Sequence, residues 1–281
     1  MTTTAGGIEL WLRGVGVLGP GLPGWAAAAA ALRAPATWQH AATLVPAPSR
    51  LAANERRRAG TVVKAALAVA DEAVAMADAD PARLATVFTS STGDPANCHA
   101  LCEALAAADP AARIVSPTRF TNSVHNTPAG YWHIATHSMC ASTSLAVFDA
   151  SFGAGLLEAA VTCHVKGDDV LLVAYDVPYP EPLHALRPLP DTMAVALVLS
   201  PRSGVRPSAQ RGPWALRVSL RAEPQPATPG ADARLEALRG QIPAARALPL
   251  LAAMAQSCAT AGVLLDAADG CTLEVAVERC P

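Results

Sequence analysis

What most constrains this chain is its alternation of short apolar runs with alanine-rich helical ones. Segments 8–18, 84–89, 142–148, 170–174 and 193–199 read as strands. Between them, segments 25–33, 55–76, 95–107, 123–136 and 150–164 carry apolar residues at helical spacing. In the longest of these, Val62, Val63, Ala66, Leu67, Val69 and Ala70 mix into one broad buried face. Strands alternating with helices in this way predict an α/β chain with a largely parallel sheet covered on both faces.

After residue 200 the texture changes. Segments 201–213 and 223–233 are rich in Pro, Gly, Ser and Gln and read as loops. The rest of the tail predicts a strand over 214–220, a helix over 248–261 with Pro249 tolerated in its first turn, and a strand over 272–277. Two strands and one or two helices are too little for a second core, so the tail is expected to complete the same sheet.

Composition decides the class. Of 281 residues, 52% are hydrophobic and only 16% charged, so a core must form. Mean hydropathy is +0.28, which raises the question of a membrane. The longest purely apolar run, residues 25–32, is far short of the ~20 residues a spanning helix needs. The first residues show neither a basic start nor an apolar h-region, so a cytoplasmic protein is expected. A net charge of −2, with Lys64 and Lys166 the only lysines, leaves no basic footprint for nucleic acid. Seven cysteines (98, 102, 140, 163, 258, 271 and 280) lie mostly in apolar segments and are expected to be reduced thiols buried as small hydrophobes.

Four motifs carry possible chemistry. Gly14-Val15-Gly16-Val17-Leu18-Gly19 satisfies G-x-G-x-x-G, but Pro20, Gly21, Pro23 and Gly24 follow, and no helix starts where a pyrophosphate would need one. No acidic residue closes a second strand about 20 residues on, so the motif reads as a strand-to-loop turn that uses glycine's flexibility. Cys98 and Cys102 share a helix face as core residues, and without a second ligand pair no metal is expected. Arg56-Arg57-Arg58 forms either a solvated face or a contact for an acidic partner. The stretch 120–130, Phe-Thr-Asn-Ser-Val-His-Asn-Thr-Pro-Ala-Gly, places six polar side chains before an apolar helix, with Ser123 or Asn122 as N-cap. His125 there is a base, a hydrogen-bonded core histidine, or a residue shaping an interface.

Several of these segments together resemble the β-ketoacyl synthases. Residues 14–21 are similar to the family's opening strand and loop, 88–94 to its strand followed by small polar residues and Gly, and 192–199 to the strand closing its N-terminal half. The run Asn122 to Trp132, with Phe148-Asp149-Ala150-Ser151-Phe152, resembles the short N-terminal-like branch found with aryl-polyene and related polyketide synthases. The resemblance covers roughly residues 8 to 200. It implies a thiolase-like layered α-β-α fold: an intact N-terminal half over 1–200 and a truncated C-terminal half over 201–281, in one domain.

In an active ketosynthase a strand ends in an elbow carrying cysteine, and the next helix aims its N-terminus at the thiol. Cys140-Ala141-Ser142 superficially resembles that string. The family's Ala-Gly pair lies twenty residues before the cysteine, and from Ala129 this count reaches Asp149, as does the count back from Asp169. The nucleophile position is therefore occupied by Asp149. A carboxylate there would give a mixed anhydride with a thioester, and no histidine follows residue 184, whereas active members carry two in their second half.

The resemblance thus implies a non-catalytic subunit, similar to a chain-length factor, that needs no cofactor. Its partner is a full-length ketosynthase, paired along 142–148, with acyl carrier protein engaged through that partner. Phe148, Asp149, Phe152, Ser123, His125 and Asn126 are the candidate tunnel and interface residues. The alternative is a stand-alone thioester hydrolase or acyltransferase using Asp149 and His125. A homodimeric scaffold without a tunnel is a third possibility.

Overall fold

The computed structural model describes residues 6–202, 211–230, 232–256 and 260–280. Residues 1–5, most of the 201–213 loop and Cys258 lie outside the described residues.

In chain order the elements are β1 (Ile8–Leu18), α1 (Trp25–Arg33), α2 (Ala53–Arg58), α3 (Thr61–Ala77), β2 (Ala85–Thr89), α4 (Pro95–Leu105), α5 (Pro117–Thr121), α6 (Thr127–Thr136) and β3 (Ser142–Leu145). There follow α7 (Ser151–Lys166), β4 (Val170–Asp176), α8 (Leu183–Leu186), β5 (Met193–Pro201), β6 (Trp214–Arg221), α9 (Ala233–Gln241), α10 (Leu248–Ala255), β7 (Thr260–Asp266) and β8 (Thr272–Arg279). Among the described residues the strands form one eight-stranded sheet, ordered β3-β2-β4-β5-β1-β6-β8-β7. The tail joins that sheet through β6, which pairs with β1 from Ile8↔Val218 to Leu12↔Trp214.

The sheet is not largely parallel. Only β2 pairs in parallel, with β3 and β4; the other five pairings are antiparallel. The connection from β4 to β5 contains only the four-residue α8 and no long crossover helix packed on the sheet, and β5 runs against β4. Both faces are nevertheless covered. α3 and α6 lie over one face with Phe88, Leu171, Val173 and Ala196. α1, α7 and α10 lie over the other with Val87, Leu172, Val195 and Leu197. Every residue of β4 and β5 is buried, as two covered faces require.

Several boundaries differ from the sequence reading, each for a local reason. The helix expected over 55–76 breaks at Ala59-Gly60 into α2 and α3. The helix expected from 123 starts at Thr127, behind the separate turn of α5. The strand expected over 142–148 ends at Leu145, because the chain tightens into a 3₁₀ turn at Phe148–Ala150. The helix expected over 248–261 ends at Ala255, and the tail holds a third strand, β7. The cysteines are mostly not core residues: Cys163 is buried, but Cys98 and Cys102 are exposed.

The G-x-G pair has a packing explanation. Gly14 and Gly16 lie inside β1, neither with positive φ, and both face α3. A Cβ on Gly14 would meet the Ala73 carbonyl oxygen at 2.0 Å, and one on Gly16 that of Val69 at 2.0 Å. Two strand residues advance about 6.6 Å and four helix residues about 6.0 Å, so the spacing matches one turn of α3 running against β1. The motif answers a need for room rather than for a flexible turn. From the same helix, Glu72 accepts the backbone N–H of Val17 at 2.9 Å and of Trp25 at 2.6 Å, tying the end of β1 to the start of α1.

Candidate functional site

The carboxyl ends of the parallel strands β2, β3 and β4 lie together, and the segment from β3 to α7 rises there as an elbow. Phe148 has φ 46°, a left-handed conformation costly for a bulky L-residue. Hydrogen bonds hold it. Ser151 donates from Oγ to the Phe148 carbonyl at 2.7 Å and accepts the Val147 N–H at 3.0 Å. Thr89, at the end of β2, donates to the Ser151 carbonyl at 2.9 Å. The first turns of α7 approach closely because they carry glycine: a Cβ on Gly155 would meet the Thr89 side chain at 2.7 Å, and one on Gly153 the Asp266 carbonyl at 2.0 Å.

Asp149 stands on this elbow, between β3 and the N-terminus of α7. Its Oδ1 accepts from Arg187 Nη2 at 2.5 Å, and its Oδ2 faces Arg246 Nη2 at 3.7 Å. The pairing continues outward, since Arg246 also meets Asp266 at 2.5 Å, and Arg239 meets Asp266 at 3.6 Å and Glu236 at 2.6 Å. The Arg239 guanidinium beside Glu236 holds its carboxyl down to about 2. Both oxygens of Asp149 thus face guanidinium groups, which occupy the sides from which a substrate carbonyl would have to approach them. Sequence reasoning missed Arg187 and Arg246, which come from a proline-rich connection and the tail and give no local signal.

The six sequence candidates separate. Phe148 is 65% exposed, with the Arg187 guanidinium 3.9 Å from its ring centroid. Phe152 is fully buried among the core residues under α7. Ser123 donates to the Phe120 carbonyl at 2.8 Å, a local turn bond. Asn126 is exposed and precedes α6 without a side-chain cap. His125 places Nε2 3.0 Å from the Leu145 carbonyl at the end of β3. Among the described residues no hydrogen bond or ion pair joins His125 to Asp149, as the acid–base alternative would need.

The small polar run after β2 surrounds another carboxylate. Asp176, at the end of β4, is 1% exposed. Its Oδ1 accepts from Ser90 Oγ at 3.2 Å, Ser91 N at 2.8 Å and Thr92 N at 2.9 Å; its Oδ2 accepts from Ala244 N at 2.8 Å. It therefore ties the β2 loop to the turn that carries Arg246. Burial pushes its pKa up to about 6, against the pull of those four donors. An unfolded aspartate titrates near 3.9, so between about pH 4 and 6 the folded state holds this proton more tightly. The resulting stabilisation is present below about pH 4 and is lost as pH rises through about 6, on the order of 2–3 kcal/mol at ~1.4 kcal/mol per pKa unit. In Asp176→Asn that component of the pH dependence is expected to vanish. Thermal unfolding of both proteins from pH 4.5 to 7.5 checks it, and parallel curves would contradict it.

Among the described residues, no group of three or more His, Cys, Asp or Glu side chains comes together as a metal site, and no helix is long and apolar enough to cross a membrane.

A family model described as the N-terminal domain of β-ketoacyl synthases matches residues 25–256. No curated relative matches the chain. Among solved structures, a complex of a ketosynthase (ApeO) with its chain length factor (ApeC) from Xenorhabdus doucetiae superposes with TM-score 0.70 at 19% identity, over 95% of this chain and 98% of that one. The ishigamide ketosynthase/chain length factor gives 0.68 at 17% identity over 98% and 100%. A complex of a type II polyketide acyl-carrier protein with its hexaketide-bound ketosynthase, AntDE:AntF, gives 0.72 at 12% over 98% and 100%. At these identities the likeness is one of fold, and it runs nearly end to end in both chains.

Proposed function

Since this chain belongs to the β-ketoacyl synthase family through its N-terminal domain, with the thiolase fold of that family, we propose that it is a chain-length-factor-like subunit that pairs with an active ketosynthase and bounds its acyl tunnel. The observation that carries this reading is Asp149, a carboxylate at the nucleophile position with Arg187 and Arg246 against its two oxygens. A soft nucleophile is needed there, and the chain offers an ion pair instead. It also has no histidine after residue 184 to polarise a thioester.

A ketosynthase partner is supported by the ketosynthase/chain length factor complexes among the structural neighbours. The surface supports it too. β3 is an edge strand of the sheet, and exposed apolar side chains lie on the segments leading into it and out of it: Phe120, Val124, Ile134, Met139 and Phe148. An unpaired edge with an apolar fringe is a template for a second sheet. In this reading the whole chain is one thiolase-like domain with a shortened second half, working in the cytoplasm. Acyl carrier protein reaches the partner's active site and not this chain's elbow.

Phe148, projecting beside Asp149, is then the wall of the partner's tunnel. Phe148→Ala is expected to lengthen the products of the reconstituted synthase while its turnover changes less than about threefold. Feeding carrier protein and extender units and reading product length by mass spectrometry tests this. An unchanged length distribution would remove Phe148 from the tunnel. Loss of all condensation in Asp149→Ala with the heterodimer intact would instead give Asp149 a chemical role.

A further inference from the structure

Arg57 and Arg58 at the end of α2 have no part in the elbow, yet they line a cleft of about 570 Å³ at the same end of the sheet. Val177 and Pro178, just past β4, and Asp94, past β2, also line it, so it opens at the carboxyl ends of parallel strands, where α/β sheets take ligands. Arg57 and Arg58 enter from α2 and Arg119 from α5.

These side chains are placed by a built frame. Asn97, 8% exposed, donates from Nδ2 to the Arg119 carbonyl at 2.9 Å. Asn122, 9% exposed, donates from Nδ2 to the Arg58 carbonyl at 3.0 Å and accepts the Tyr131 hydroxyl at 3.3 Å. Two buried amides thus pin the backbone of two arginines from different helices, so that their guanidinium groups share one cleft.

The charges there are largely uncompensated. Among the described residues Arg57 and Arg119 make no ion pair, and Arg58 has only the half-buried Glu55 at 3.3 Å. Among the described residues Asp94 is the one carboxylate in the lining; its Oδ1 is spent capping α4 through Asn97 N at 3.1 Å, and burial raises its pKa against the weaker pull of the Arg119 charge. Hydroxyls of Thr61, Ser116 and Thr118 complete a donor-rich wall, and the first turn of the 17-residue α3 opens on it with no side-chain cap.

We propose that this cleft binds the phosphoryl group of a small molecule, gripped by Arg57, Arg58 and Arg119. Guanidinium forks match phosphate oxygens in pairs, and three of them against one carboxylate leave charge for a doubly ionised group. The volume falls in the range of small-molecule sites, and its concavity suits a compact ligand better than a protein surface. This site is independent of the ketosynthase partner.

The test is calorimetric titration of the full chain, as purified with or without its synthase, using inorganic pyrophosphate at fixed ionic strength. Saturable binding at least tenfold tighter than sulfate is expected. The double variant Arg57→Gln/Arg119→Gln should weaken it at least tenfold with unchanged melting temperature, whereas Arg279→Gln, outside the cleft, should not. Three results would each overturn the proposal: no saturable binding, sulfate bound as tightly, or equal loss in Arg279→Gln. Binding of a carrier protein lacking its phosphopantetheine arm through these same arginines, with pyrophosphate ignored, would also overturn it in favour of a protein contact.

Discussion

Gly16→Val is expected to abolish folding, and Gly16→Ala to lower stability by about 3 kcal/mol. The reason is distance. An ordinary Cβ contact is about 3.4–4 Å, and here the added atom would lie 2.0 Å from the Val69 carbonyl oxygen, a main-chain atom of α3 that no rotamer can move. All of α3 must therefore retreat. Its retreat opens gaps around its own buried side chains Val63, Ala66, Leu67 and Ala70. Overpacking costs ~1–3 kcal/mol where side chains can adjust, and a rigid helix against a central strand belongs at or above the top of that range. At ~2–4 °C per kcal/mol for a chain of this size, Gly16→Ala should melt about 10 °C lower. Gly130→Ala on α6 is the control, since nothing lies within 4 Å of its added Cβ. It should be neutral or slightly stabilising, because it removes glycine's extra freedom from the unfolded chain. Equal melting temperatures for Gly16→Ala and the parent chain would refute the packing explanation of the motif.

That pair of glycines shows what the sequence could and could not convey. The strand Ile8–Leu18 and the helix Trp25–Arg33 were legible to the residue, because Pro and Gly punctuate both ends of the loop between them. Why β1 carries glycines was not, since the answer lies on a helix more than fifty residues away. Strand direction was equally hidden. Alternation suggested parallel pairing, but the segment before β5 forms only the four-residue α8 in place of a crossover helix, and β5 runs against β4. β7 was missed because Thr-Ala-Gly-Val-Leu-Leu-Asp continues an alanine-rich run of helical texture, and only pairing with β8 makes it a strand. Counting from Ala129 put Asp149 at the elbow, while its counter-ions Arg187 and Arg246 are brought there by the fold alone.

The other large effect should come from the edge of the sheet. β3 runs parallel to β2, and Thr86 N and Ser90 N donate to the carbonyls of Ala141 and Leu145. Alternation along a strand then turns the main-chain groups of Ser142 and Ser144 outward, away from β2. If a ketosynthase adds its own strand here, Ser144 supplies one of the bonds that join the two sheets. Ser144→Pro removes that donor and projects a ring into the contact, yet it spares the bonds to β2, and proline is tolerated at an edge where its nitrogen faces solvent. The unpaired partner carbonyl costs ~1–3 kcal/mol, and the displaced strand adds to it, which together correspond to about 100-fold in affinity. Co-purification with the synthase should fail, while the melting temperature of the isolated subunit stays within a few degrees of the parent. Ser144→Thr, which keeps the N–H and suits a strand, should bind as the parent does. A proline variant that still forms the heterodimer at parental affinity would place the ketosynthase contact on some other face of the molecule.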